Sequence, residues 1–310
     1  MESQNISSAP GFLLLGLSEH PKVQVLLFVF FLIIYLATIL GNTVLITACV
    51  HDSRLHTPMY FFLVNLSFLD ICYSTVTVPN MLVQLLYRSR MSYSRCAAQM
   101  YTYLLLGCTE CVLLAVMGYD RYVAISFPLR YTVIMRMPVS ITLAACCWFI
   151  GSLMALLDTV FTLELPLCAS NVINHFFCEA TALLKMACSD TYVAEMVIFS
   201  VGIFVLLIPS LFTLISYVRI IATIMGIRST QGRYKAFSTC ASHLTVVTIF
   251  YSTAIFMYMK PVSKNSANMD KMISVFYTVT PPMMNPVIYS LRNKDVKMAL
   301  QKITQRGIFP

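Results

Sequence analysis

Charge is what this sequence has least of. Only 11% of its 310 residues are Asp, Glu, Lys or Arg, while 58% are apolar; soluble domains run to about a quarter charged. A surface so poor in charge excludes water as the solvent for most of it, and a membrane protein is expected. A basic leader is also missing. No Lys or Arg precedes Lys22, and Glu2 and Glu19 stand in that stretch. This excludes a cleaved signal peptide, which starts positively charged, so the first apolar segment is expected to be retained. No linker, internal repeat or low-complexity tract divides the chain, and a single domain over 1–310 follows. The connections between apolar segments are short, leaving no room for a kinase or cyclase domain. No nucleophile–base pair and no metal-ligand cluster lies at one depth, which excludes an enzyme. Repeated halves and helices broken at midplane are absent too, which argues against the competing reading of a channel or secondary transporter.

What is present is apolar length. Val23 to Val50 carries no Asp, Glu, Lys or Arg and is long enough to cross a bilayer, which takes about 20 apolar residues in a helix. Six further stretches follow, at Pro58 to Leu86, Ala97 to Val123, Val139 to Leu163, Tyr192 to Ile224, Thr239 to Met259 and Met272 to Leu291. The expected fold is therefore all-α, a bundle of seven transmembrane helices over 23–291. After Leu291, over 292–310, Val296, Leu300 and Ile303 recur at helical spacing with Lys294, Lys297 and Lys302 around them. That pattern predicts a short amphipathic cytoplasmic helix on an anionic leaflet.

Orientation follows from the Lys and Arg of the connections. With the N-terminal segment 1–22 outside, 13 of the 21 basic residues fall on the cytoplasmic side and 8 outside. Arg88, Arg90 and Arg95 weigh against this arrangement, whereas the glycosylation acceptor Asn5-Ile6-Ser7 supports it, since such a site is used only in the lumen or outside. Asn65-Leu66-Ser67 matches the same tripeptide inside a span and is set aside. On the outer side lie Cys96, Cys168, Cys178 and Cys188, where disulfides persist; four cysteines allow three pairings, which spacing does not separate.

Charge inside the spans is costly and points to mechanism. Asp120-Arg121-Tyr122 closes the third span, and Asn285-Pro286-Val287-Ile288-Tyr289 lies near the inner end of the seventh. Pro286 removes a helix hydrogen bond, and Asn285 and Tyr289 offer polar groups to satisfy the freed backbone. Together, in a chain of seven spans, these motifs resemble the rhodopsin-like (class A) G-protein-coupled receptors. Six segments, two of them containing these motifs, narrow the resemblance to the odorant (olfactory) receptors of the tetrapod type, along essentially the whole chain. They are Gly41-Asn42, Leu55 to Tyr60, Met117 to Ile125, Ser216-Tyr217 and Lys235 to Leu244, followed by Pro282 to Asn293. Gly118 departs from the usual alanine, and Ser126-Phe127 from the usual cysteine and polar residue.

The resemblance implies an odorant receptor that activates a stimulatory, olfactory Gs-type G protein and raises cyclic AMP. Its partners would be a small volatile odorant, the heterotrimeric G protein, the lipid bilayer and trafficking chaperones, with no nucleic acid. It would sit in the plasma membrane of olfactory sensory neuron cilia; a same-family receptor for a metabolite outside the nose is the nearest alternative. Arg121 would be held by Asp120 in the resting bundle, with Tyr122, Tyr217, His243, Asn285, Pro286 and Tyr289 as further switch positions. The resemblance pairs Cys96 with Cys178 and Cys168 with Cys188. That commits Cys178 and removes it from the metal site that His175, Cys178 and Glu179 otherwise suggest. No cofactor is implied beyond a sodium ion beside Asp70 and Glu110, two buried acids that otherwise share a proton.

Two stripes at helical spacing face the expected ligand cavity: Leu104, Gly107, Cys108 and Cys111 in span three, and Tyr251, Ala254, Ile255 and Tyr258 in span six. The family's pocket occupies these depths, with Tyr103, Val201, Val205 and Tyr277 behind. Tyr103 rather than a carboxylate stands in the outer part of span three, so a small, neutral, hydrophobic ligand is expected, with Tyr258 and Tyr277 supplying hydrogen bonds.

Overall fold

The computed structural model describes residues 11–18, 20–87, 90–167, 171–259, 267–292 and 294–305. The main helices are seven long ones and a shorter one after them, besides single helical turns in the connections: α1 (Pro21–His51), α2 (Pro58–Leu86), α3 (Tyr93–Ser126), α4 (Met137–Leu163), α5 (Tyr192–Met225), α6 (Thr230–Tyr258), α7 (Ala267–Arg292) and α8 (Lys294–Gln305). Each overlaps an expected segment: α2 has the expected bounds, α6 begins nine residues before Thr239, and the ends of the other spans differ by at most five residues. Proline opens the first turn of α1, α2 and α4, where its missing N–H costs nothing. Ser92 caps α3 by accepting from the Arg95 N–H, and Ser229 caps α6 by accepting from Gly232.

Helices α1 to α6 are long and apolar enough to cross a membrane. α7 is less apolar, diluted by Pro281, Pro282, Asn285 and Pro286, yet it packs into the bundle against α1, α2 and α6. Outward-facing Leu26, Ile33, Leu40, Phe149, Leu211 and Leu214 are exposed. In water such a belt would be an aggregation surface; against lipid it is the expected exterior.

The inner faces pack closely. On α4 the buried positions Ser140, Ala144, Cys147, Gly151, Ala155, Asp158 and Thr162 recur every three or four residues, a stripe of small side chains that brings the backbone against α3. A Cβ on Gly151 would lie 2.9 Å from the Thr109 nitrogen and 3.0 Å from the Leu105 oxygen, so only glycine fits there. In α5, Ile203–Leu207 forms one wide π turn immediately before Pro209, whose ring and missing N–H cannot continue a regular helix.

One feature departs from an all-helical expectation for the ends. The segment before α1 contributes β1 (Phe12–Leu14), the middle strand of a small sheet with β2 (Arg90–Met91), antiparallel, and β3 (Val172–Ile173), parallel. Gly11 has φ 83°, and a Cβ there would meet the Met91 carbonyl oxygen at 2.6 Å. The glycine thus permits both the turn and the close approach. On the opposite face α8 buries Val296 and Ala299 fully, while the Tyr60 hydroxyl donates to Asp295 at 3.2 Å.

Candidate functional site

The face bearing the N-terminal strand is roofed by the chain between α4 and α5. Cys178 in that segment is disulfide-bonded to Cys96 of α3, and its N–H donates to Gln99 Oε1 at 3.1 Å. The Gln99 amide in turn donates to the Val76 carbonyl of α2 at 2.9 Å. Cys188 is also disulfide-bonded; its expected partner Cys168 lies outside the described residues, as does Asn5.

On either side of Cys178, His175 and Glu179 meet at 3.0 Å, both buried. The His175 Nδ1 accepts from the Phe177 N–H at 3.4 Å. Glu179 Oε1 accepts from the Tyr277 hydroxyl at 3.3 Å, and that hydroxyl lies 2.9 Å from the Tyr258 hydroxyl. With the Tyr277 proton committed to the carboxylate, Tyr258 donates to Tyr277. A continuous polar chain thus runs from the roof into the bundle. Among the described residues no group of three or more His, Cys, Asp or Glu is placed to hold a metal ion.

Beneath this network lies a cavity with about 600 Å³ of space free of protein atoms, part of it open to the exterior. Ten of the twelve positions expected at the ligand line it: Tyr103, Leu104, Gly107, Cys108, Cys111, Val201, Val205, Ala254, Tyr258 and Tyr277. Tyr251 and Ile255 do not. The Tyr251 hydroxyl is turned onto the Cys111 carbonyl at 2.6 Å and ties α6 to α3, so it braces the wall instead of lining it. Tyr73, Ile198, Gly202, Leu206 and Phe250 complete the lining, together with a residue that the reading of the spans passed over, Asp158 of α4. Its carboxyl is 4% exposed, and Oδ1 has no hydrogen-bond partner among the described residues. The signal was available, since Asp158 falls inside the fourth apolar segment, where an ionisable group is a functional candidate by default.

Deeper in the bundle Asn285 donates through Nδ2 to both oxygens of Asp70, at 3.1 and 3.0 Å. It therefore does not satisfy the backbone freed by Pro286, as the sequence suggested. The carbonyl left without a donor is that of Pro282, four residues back, and it is Asn42 of α1 that donates to it at 3.0 Å. A Cβ on the neighbouring Gly41 would lie 3.1 Å from the Pro286 ring, which explains the glycine beside Asn42. Glu110 is 1% exposed, its Oε1 lacks a partner among the described residues, and it senses Asp70 electrostatically. The unpartnered Glu110 oxygen is a ligand of the kind that a hard cation takes, whereas both Asp70 oxygens already accept from Asn285.

At the opposite face Asp120 and Arg121 do not pair with each other. Adjacent helix residues point in different directions; the buried Asp120 instead accepts from the Tyr131 hydroxyl at 2.8 Å. Burial and the nearby carboxylate hold the Tyr131 phenol above its usual range. Arg121 lines an open cleft of about 2170 Å³ shared with His243, Tyr289, Met117 and Ser242. Tyr217 and His243 meet at 2.7 Å between α5 and α6, while the Tyr289 hydroxyl has no partner among the described residues. Tyr122 packs edge-on against Phe127, with centroids 5.8 Å apart, beside the cluster of Tyr217, Ile220, Ile224 and Cys240. Gly118 faces His243 and Thr213, with room for a methyl group at ordinary contact distance.

Comparison with known proteins covers nearly all of this architecture. The family description matching residues 31–306 is olfactory receptor. The chain is 53% identical to human olfactory receptor 2D2 across 100% of both chains. It is 51% identical to human olfactory receptor 2K2, covering 98% of this chain and 96% of the relative. With mouse olfactory receptor 8U3 it shares 50% identity over 99% and 97% of the two chains.

Proposed function

Since this chain belongs to the olfactory receptor family, a multi-pass plasma-membrane protein that couples odorant ligands to a G protein, we propose how it does so: a small, largely apolar odorant seats beneath the His175–Glu179 roof and biases the bundle toward a form that activates an olfactory Gs-type protein and raises cyclic AMP. The N-terminal face is extracellular in this reading, the motif-bearing face is cytoplasmic, and the receptor works in the cilia of olfactory sensory neurons with the help of trafficking chaperones.

The observation that carries the proposal is the pairing of two cavities along one helix. α3 lines the upper cavity through Tyr103, Leu104, Gly107, Cys108 and Cys111, and the lower cleft through Met117, Asp120, Arg121 and Ala124. A ligand that moves α3 or α6 above is therefore felt by Arg121 below. The ligand acts only through its different affinity for the two arrangements; a hundredfold preference is worth about 2.7 kcal/mol. Tyr258 and Tyr277 present hydroxyls to the ligand, and because Tyr277 also holds Glu179, engaging them couples the ligand to the roof. Below, Tyr217 and His243 form a hydrogen bond between α5 and α6 that an outward movement of α6 breaks. Asp70, Glu110 and Asn285 would hold a sodium ion between these two regions, where its charge would offset the carboxylates.

A cyclic-AMP reporter in cells given a trafficking chaperone, screened against an odorant panel, tests the reading. Arg121→Ala is expected to abolish the response while surface staining stays at the wild-type level. An unchanged response in that variant would refute the assignment of Arg121.

A further inference from the structure

Among the described residues Asp158 is the one acid in the wall of the upper cavity, and no Lys, Arg or His lines that wall with it. Asp158 Oδ1 has no hydrogen-bond partner among the described residues although the side chain is 96% buried, being 4% exposed. Its direction is fixed by the fold: Asp158 lies seven residues beyond Gly151 and three beyond Ala155 on the stripe that α4 presses against α3, so its side chain enters the bundle instead of the lipid. The Thr162 hydroxyl, four residues on, is spent on the Asp158 backbone carbonyl at 2.6 Å. A lone carboxyl in an apolar wall is costly, and such residues persist in membrane helices where they meet a partner or a substrate.

Resting on the reading of this cavity as the odorant site, we propose that Asp158 is the specificity-determining anchor of the pocket and that its preferred ligands are small hydrophobic amines. The ammonium group would sit against the Asp158 carboxylate. The rest of the site suits such a cation: Tyr73, Tyr103, Tyr258, Tyr277 and Phe250 surround the cavity with aromatic rings, whose faces attract an ammonium, and the aliphatic remainder of the lining takes the carbon skeleton. A charge-assisted bond to a buried carboxylate adds to binding what a neutral hydroxyl does not. The neutral ligand expected from the lack of an outer-span-three carboxylate thus gives way to one anchored from α4.

The test uses matched probes on the full-length receptor at the cell surface: hexylamine, cyclohexylamine and phenethylamine against hexanol, cyclohexanol and phenethyl alcohol, with cyclic AMP as readout. The wild type is expected to respond to the amines at concentrations about ten- to hundredfold lower than to the matching alcohols. Asp158→Asn, which keeps shape and removes charge, is expected to lose that preference with normal surface staining, and Asp158→Glu to retain part of it. Equal potency of amines and alcohols, or an amine preference unchanged in Asp158→Asn, overturns the proposal while leaving the receptor reading intact. Responses of every kind that persist in Arg121→Ala would instead strike at the receptor reading, so the two failures are distinguishable.

Discussion

Tyr131 is the partner that Asp120 finds in place of Arg121, and it shows how little a motif says about who holds whom. Asp120 and Arg121 are adjacent, so their side chains diverge, and the hydroxyl that reaches the buried carboxylate comes from eleven residues along the chain, in a short helical turn over Tyr131–Ile134. Removing that hydroxyl leaves a buried acceptor without its donor, at a cost of about 1–3 kcal/mol. Tyr131→Phe is expected to lower the thermal midpoint of the purified receptor accordingly; a midpoint equal to wild type would mean that Asp120 does not depend on Tyr131. The same lesson applies to Asn42 and Asn285. Pro286 announced that a carbonyl would be freed, but which amide would answer it depends on the placement of α1 beside α7, which no local pattern encodes. Asp158 was the reverse case, legible from its place in an apolar span and overlooked because the two stripes searched belonged to other helices.

At the scale of elements, helix positions were the most legible part, because a bilayer imposes a length and an apolar composition that read directly from the chain. Helix contacts were less so. The α3–α4 seam is set by one glycine: even a methyl group at Gly151 would press on backbone atoms of Thr109 and Leu105, which have no rotamer to yield. Gly151→Ala is expected to part the two helices and cost about 1–3 kcal/mol, read as reduced surface expression and a lower thermal midpoint. An alanine variant as stable as wild type would mean the seam has slack. The small sheet escaped the sequence reading for a different reason: its strands are two or three residues long and come from distant parts of the chain, too short for any alternation to register.

For the whole molecule, the roof is what lies over the outer side of the upper cavity. It is held to the bundle by the Cys96–Cys178 bridge, by Gln99 and by the Glu179–Tyr277 contact, and it is joined to the N-terminal segment through β1. The bridge closes a loop of sequence separation 82, and losing such a bond costs about 2–5 kcal/mol. The double variant Cys96→Ala/Cys178→Ala is expected to show that loss in thermal unfolding. It should also weaken ligand responses more than basal signalling, since the roof belongs to the upper cavity and not to the Arg121 cleft. Equal losses in both would place the bridge in the stability of the entire bundle.

The wide turn at Ile203–Leu207 has a consequence for how the two ends of α5 speak to each other. One extra residue in a helix rotates everything beyond it by about 100°. Upstream of the turn α5 presents Val201 to the cavity, and downstream it presents Tyr217 to His243. The turn therefore sets their phase, and any local rewinding there would act as a swivel, turning the lower half of α5 about its own axis while the upper half stays where the ligand left it.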